Sequence, residues 1–253
     1  MPLPTPRLRM AGVSKRFGDH RVLDRLDLTV APGESVVVIG RSGAGKSVLF
    51  KCLLGLMKPD AGEIWLDEER MDTLPPSEQL ERMRRFGMLF QGGALFDSMT
   101  VGENVGFELT EHMHWSKAKV RERVDEVLGW VGLPGVAARK PAQLSGGMQK
   151  RVALARAIAA SPDIILYDEP TTGLDPIMAD VINRLIRDIN RRLGATSVTI
   201  THDMNSAYFI ADRIAMLHEG AIHAQGTPDE IRASTHPLVR QFIEGRAEGP
   251  IQV

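Results

Sequence analysis

Ser35-Val36-Val37-Val38-Ile39-Gly40-Arg41-Ser42-Gly43-Ala44-Gly45-Lys46-Ser47 sets an apolar run directly before a glycine-rich octet. A helical pattern, Val48-Leu49-Phe50-Lys51-Cys52-Leu53-Leu54-Gly55-Leu56-Met57, follows at once. The octet matches G-x-x-x-x-G-K-[ST]. Small residues let backbone N–H groups turn inward onto phosphate oxygens, and the helix N-terminus adds its dipole. Lys46 is placed to reach the β- and γ-phosphates of a nucleotide, and the Ser47 hydroxyl to ligate Mg²⁺.

Working outward, Ser35–Ile39, Gly62–Leu66, Phe86–Phe90, Asp163–Tyr167 and Thr196–Thr201 read as strands between amphipathic helical patterns. That alternation predicts an α/β fold with a largely parallel sheet. VVVI and IILY are nearly all apolar, as in strands covered on both faces. The first thirty residues and residues 212–226 read as short antiparallel strands with turns. Residues 92–160 read as helical, with Val120, Val124, Val127 and Leu128 at helical spacing and a break at Gly132-Leu133-Pro134-Gly135. The expected organisation is one α/β core, residues 1–91 and 161–253, with a helical subdomain inserted over 92–160. The tail GRAEGPIQV is too short and Gly-rich for a core element.

Composition narrows the classes. Apolar residues are 43% and charged residues 25% of the 253, near globular averages, which argues against disorder and collagen. Lys and Arg number 31 against 32 Asp and Glu, so no global basic field recruits nucleic acid. Cys52 is the single cysteine; it excludes an internal disulfide, fits a reducing compartment and reads as a buried helix residue. MPLPTPRLRM has no apolar leader run, and no stretch approaches the ~18 residues of a bilayer span.

Two further segments carry chemistry. Ile164-Ile165-Leu166-Tyr167-Asp168-Glu169-Pro170 is an apolar strand ending in two carboxylates. In an open parallel sheet the ligand crevice lies beyond the carboxyl ends of the strands. Asp168 is therefore expected beside the Mg²⁺ of Ser47, and Glu169 one residue further, where it polarises a water against the γ-phosphate. Leu144-Ser145-Gly146-Gly147-Met148-Gln149 precedes a strongly helical run, so Ser145 caps a helix whose Gly146 and Gly147 amides form a second anion site. Two phosphate sites so far apart in sequence are explained if they meet across a dimer, each ATP held by one chain's loop and the other chain's Ser-Gly-Gly.

Together these segments resemble the nucleotide-binding subunits of ABC transporters from about residue 8 to 245. The motifs stand in that family's order: the Walker A loop GRSGAGKS, a Q-loop glutamine at Gln91, the signature LSGGM, the Walker B run IILYDE, a D-loop Gly173-Leu174-Asp175 and a switch histidine at His202. The resemblance implies a P-loop NTPase (RecA-like) core with an antiparallel β subdomain and an inserted helical signature subdomain. It implies ATP hydrolysis with Mg²⁺ held by Ser47, Gln91 and Asp168. Glu169, His202 and Gln91 would be catalytic, and Asp175 would act across the dimer. Phe17 fits the position that stacks on adenine, where the family more often has Tyr; a core Phe is the alternative. Met148 replaces the commoner Gln of LSGGQ, and Arg41 fills a variable position.

Within the family, Phe90–Val101, LSGGM, Asp175-Pro176-Ile177 and the ending Val239–Gly245 with Gly249-Pro250 resemble the MlaF-type phospholipid-transport ATPases. That likeness implies a permease of MlaE type, an Mce-domain protein of MlaD type, at times a STAS-domain protein of MlaB type, and a peripheral place on the cytoplasmic face of the bacterial inner membrane. Leu95, Phe96 and Met99 either receive a permease helix or fill the subdomain's own core. Two other classes fit less well. An ABC ATPase of DNA maintenance needs coiled-coil or zinc insertions, and a P-loop GTPase needs a guanine-reading Asn-Lys-x-Asp.

Overall fold

The structure is a computed structural model that describes residues 5–252; residues 1–4 of the expected leaderless start, and residue 253 of the tail, lie outside the described residues. The chain forms two compact units, Met1–Met83 with Thr196–Val253, and Arg84–Ala195. The stretch 92–160 lies within the second.

In the first unit, β1 (Leu8–Phe17) and β2 (His20–Val30) form an antiparallel hairpin. Along β2, Leu26, Leu28 and Val30 point into the core while Arg25, Asp27 and Thr29 face outward, the period-two pattern of a half-buried strand. β3 (Ser35–Ile39) is buried at every residue and runs parallel to both of its neighbours, β8 (Thr196–Thr201) and β9 (Arg213–His218). β10 (Ala221–Gly226) is antiparallel to β9. β4 (Ala61–Leu66) does not join the parallel strands. It pairs antiparallel with β1 and carries β5 (Glu69–Arg70), completing a four-stranded sheet in the order β2-β1-β4-β5. Its burial explains the placement: Ile64 and Leu66 are buried but Ala61 is exposed, which suits a sheet covered on one face.

Helices α1 (Lys46–Leu53), α2 (Pro76–Met83), α7 (Met204–Ile210), α8 (Pro228–Ala233) and α9 (Pro237–Glu244) complete this unit. Cys52 is buried in α1, as expected, and its thiol is pushed up to about 11 by burial. The tail departs from expectation. Ile251 is buried, and the buried Gln241 of α9 grips its backbone twice: Ile251 N donates to Gln241 Oε1 at 2.6 Å and Gln241 Nε2 donates to the Ile251 carbonyl at 2.9 Å. A side-chain amide thus supplies the pairing that a short tail cannot make with a strand.

In the second unit, β6 (Phe86–Leu89) and β7 (Ile164–Asp168) are parallel, with Leu89 opposite Tyr167. α3 (Val101–Glu111), α4 (Lys117–Trp130), α5 (Gly146–Ile158) and α6 (Pro176–Leu193) supply its helices. Thr100 and Glu103 form a reciprocal capping box at the start of α3. Val124, Val127 and Leu128 form the buried stripe of α4, which ends before the Gly132 turn as its sequence predicts.

Candidate nucleotide-binding site

The first unit holds the phosphate loop, Phe17 and His202. Residues 40–45 link β3 to α1. Gly40 and Gly45 are required by close approach: a Cβ at Gly40 would lie 2.4 Å from the Leu217 carbonyl oxygen, and one at Gly45, where φ is +102°, 2.8 Å from that of Val22. Gly45 caps α1 without a side-chain acceptor, and the first turn of α1 carries no acidic residue. Its leading amides and dipole therefore suit an anion. Lys46 is buried, and its Nζ donates to the loop's own carbonyls, Gly40 at 2.6 Å and Arg41 at 3.1 Å. Ser47 is exposed, one residue into the helix.

Residues Arg41–Ala44 help to line a surface cavity of about 620 Å³, together with His20–Val22, His218–Gly220, and Pro250 and Gln252 of the tail. The Arg41 guanidinium donates to the Gln252 carbonyl. Phe17 is 48% exposed, with the Lys15 ammonium 5.9 Å from its ring centre, so the core alternative for this residue is set aside. His202 is exposed and directly follows β8, whose last residue, Thr201, is opposite Ile39 of β3. The next residue, Asp203, caps α7 through Asn205 N at 3.0 Å and Ser206 N at 3.4 Å.

The second unit holds the remaining candidates. β7 runs one residue later than its sequence predicts, so Asp168 is its last residue and Glu169 the first beyond it. Glu169 is only 8% exposed, and at φ +46° it occupies the left-handed region, a conformation costing of order 1–3 kcal/mol for a non-glycine residue. The Thr172 hydroxyl donates to its Oε2 at 3.1 Å. Gln91 is exposed two residues beyond β6, whose last residue, Leu89, is opposite Tyr167 of β7.

Ser145 caps α5, accepting from Met148 N at 3.3 Å, with Gly146 exposed beside it. A Cβ on Gly147 would lie 2.7 Å from Met178 Cε, so the signature glycines meet the first turn of α6. That turn is capped by Asp175, which accepts from Ile177 N and Met178 N, both at 3.0 Å.

Two residues of this unit go beyond the sequence reading. Lys150 is 8% exposed, and its Nζ donates to the Gln91 carbonyl. Burial lowers its pKa, and the negative charges of Asp168 and Glu169 act in the opposite direction. Its signal was a lysine at helical spacing from Gly147 and Ala153, on the face that α5 buries. Asn104 is fully buried, donates from Nδ2 to the carbonyls of Phe96 at 3.1 Å and Thr100 at 2.9 Å, and accepts from Phe96 N at 2.8 Å. It shapes the segment after Gln91, and no sequence pattern marks it.

Among the described residues no helix is long and apolar enough to cross a membrane. The pattern of the ABC transporter family matches residues 23–172. The chain is 41% identical over 245 residues to the intermembrane phospholipid transport system ATP-binding protein MlaF of Haemophilus influenzae, spanning 97% of this chain and 93% of that one. It is also 41% identical over 244 residues to the probable ribonucleotide transport ATP-binding protein mkl of Mycobacterium bovis, spanning 96% of this chain and 68% of that one. Among solved structures, a dimeric ATP-binding cassette in a post-hydrolysis state, bound to ADP and Pi, superposes with a TM-score of 0.79 at 34% identity over 87% of this chain and 98% of its own. The strand–loop–helix phosphate cradle, the carboxylate-ended β7 and the glycine-led α5 thus belong to a chain of the ABC transporter family, as its ATP-binding, ATP-hydrolysing subunit.

Proposed function

We propose that this chain powers phospholipid transport between the inner and outer membranes of a bacterium, from the cytoplasmic face of the inner membrane. It would work as a pair of identical ATPase subunits beneath a permease of MlaE type, with an Mce-domain protein of MlaD type and, in systems that have one, a STAS-domain protein of MlaB type. One observation carries the reading: at 41% identity the chain spans 93% of a phospholipid-system relative, whereas the ribonucleotide-system relative of equal identity has a third of its length outside the match. That equal identity also keeps ribonucleotide transport as the second reading.

In this reading residues 1–91 and 161–253 are the catalytic core, and 92–160 is the insert that carries the signature. Phe17 offers its exposed ring to adenine. The amides of residues 40–45 and the Lys46 ammonium hold the β- and γ-phosphates, Lys46 exchanging its loop carbonyls for phosphate oxygens. Ser145, Gly146 and Gly147 of the second copy close on the γ-phosphate, and Asp175 organises that interface. Glu169, braced by Thr172, orients and polarises the attacking water. His202 contacts the γ-phosphate, and Gln91 contacts Mg²⁺ and the attacking water and starts the coupling path from this site to the permease. Ser47, Gln91 and Asp168 offer hydroxyl, amide and carboxylate oxygens, the hard donors that Mg²⁺ takes, and these residues would hold it. Bound there, the ion supplies neutralisation of phosphate charge. Phe96 is exposed, and Leu95 and Met99 are half-buried, which suits a surface receiving a permease helix.

The test is transport by the complex purified with this chain. Proteoliposomes are loaded with labelled phospholipid, and its ATP-dependent transfer to the lipid-carrier partner is followed. Labelled ribonucleotide uptake is measured in parallel. ATP-dependent lipid transfer that Leu95→Glu abolishes supports the reading, since a charge in an apolar groove costs several kcal/mol to desolvate (~2–7 for a polar group alone). Ribonucleotide movement without lipid movement overturns the lipid assignment and leaves the ATPase intact.

A further inference from the structure

Helix α5 presents the signature at its N-terminus, and further along it carries the segment that follows β6. Lys150 donates to the carbonyl of Gln91. Ala153 lies where a Cβ on Gly93 would be 3.5 Å away, in ordinary van der Waals contact. Arg156 donates from Nη1 to the Ala94 carbonyl at 2.7 Å and from Nη2 to that of Gly93 at 3.0 Å. Its guanidinium also lies 5.6 Å from the centre of the Phe96 ring. Gly93 and Ala94 both have positive φ, +75° and +49°. A non-glycine residue in that region is strained and persists where its surroundings over-determine it. Arg156 supplies that constraint at Ala94.

Both cations lose hydration at these positions; burial lowers the pKa of Lys150 and of Arg156. Desolvating a cation is favourable only against well-placed acceptors, and here the acceptors are main-chain carbonyls rather than carboxylates. The attachment is therefore to the path of the chain from Gln91 to Ala94, whatever side chains stand there.

We propose that Lys150 and Arg156 are positioning residues that fasten the Gln91–Phe96 segment to the signature helix. When α5 engages nucleotide, Gln91 at one end and Phe96 at the other then move with it as one body. Nucleotide engagement and the permease surface are coupled through α5 itself. The inference rests on the reading above, in which Ser145–Gly147 contact phosphate and Gln91 serves the coupling path.

The test uses the full membrane complex, with Lys150→Met and Arg156→Met compared with wild type by hydrogen exchange and steady-state hydrolysis. Exchange at the amides of residues 91–96 should quicken about tenfold or more in each variant, as a local opening no longer opposed by these bonds. The kcat for permease-coupled hydrolysis should fall about 10–100-fold, the cost of a small misplacement, with the KM for ATP within about twofold. Lys150→Arg, which keeps a donor, should recover most of both effects. Unchanged exchange over 91–96 in a folded variant overturns the fastening, and quickened exchange with unchanged kcat overturns its role in coupling. If one variant does not fold, the other decides. Gln91→Ala separates the underlying reading: wild-type coupled hydrolysis in that variant refutes the role of Gln91, while the exchange data still decide whether the segment is fastened.

Discussion

Ile39 and Thr201 are paired across the parallel strands β3 and β8, so the phosphate loop and His202 leave the sheet side by side from the same edge. If His202 contacts the γ-phosphate as proposed, it does so from the end of β8, while the start of α7 is capped by Asp203. His202→Ala should lower ATP hydrolysis about 10²-fold, the usual loss for one donor aimed at transition-state charge, with ATP binding kept. Hydrolysis within threefold of wild type would remove His202 from the phosphate site.

Glu169 combines burial, a left-handed backbone and a hydroxyl brace from Thr172. Those features fix where its carboxylate points. Glu169→Gln keeps the shape and removes the proposed base, so hydrolysis should drop about 10²–10⁴-fold. ATP binding, read by fluorescent-nucleotide titration, should persist, and ATP-bound dimers should accumulate on gel filtration. A variant that retains hydrolysis assigns the water to another group.

The signature glycines and the phosphate loop are two anion sites far apart in the sequence, and a site shared between two copies would bring them together. Lys46→Ala removes a phosphate contact on one side, and Ser145→Arg blocks the γ-phosphate seat on the other. In a mixed dimer with one of each, one composite site carries both lesions and the other is intact. Differently tagged mixed dimers should therefore trap ATP in a closed state better than either pure variant. Equal trapping in all three excludes the trans arrangement.

Much of this architecture was legible because its signals are local. The β3 run and the glycine octet are consecutive, and uniform burial of Ser35–Ile39 follows from uniform apolarity. β4 was misplaced because a short strand with Ile64 and Leu66 inward reads alike in either sheet; only its long-range pairing with Leu8 and Met10 distinguishes them. The tail was misread for the same reason, since its burial depends on Gln241, a polar residue whose role appears only when Ile251 folds back onto it. Asn104 is unmarked because its partners are backbone groups, which carry no sequence signature, and Lys150 is marked only by its place on the face that α5 buries. The phosphate loop, the two carboxylates after β7 and the glycines that lead α5 are legible as short motifs, whereas Phe17, Gln91, Asp175 and His202 rest on the family resemblance.

Cys52 gives a test of the packing around α1 that is independent of any ligand. Its side chain is buried behind the phosphate loop's own helix, and burial raises the thiol from 9.0 to about 11. pH 8 lies three units below that pKa, so about one molecule in 10³ carries the reactive thiolate, against about a tenth at the unshifted value of 9.0. Alkylation by a maleimide at pH 8 should be slow in the native protein and complete within minutes in denaturant. A raised folded-state pKa favours the neutral thiol in the folded chain, so this contribution to stability is fully present below about pH 9 and is lost as pH rises toward 11. Urea midpoints measured from pH 8 to 11 should decline more steeply in wild type than in Cys52→Ala, whatever the offset between them. Parallel slopes, or fast native alkylation, would place the thiol in water and contradict the packing of α1.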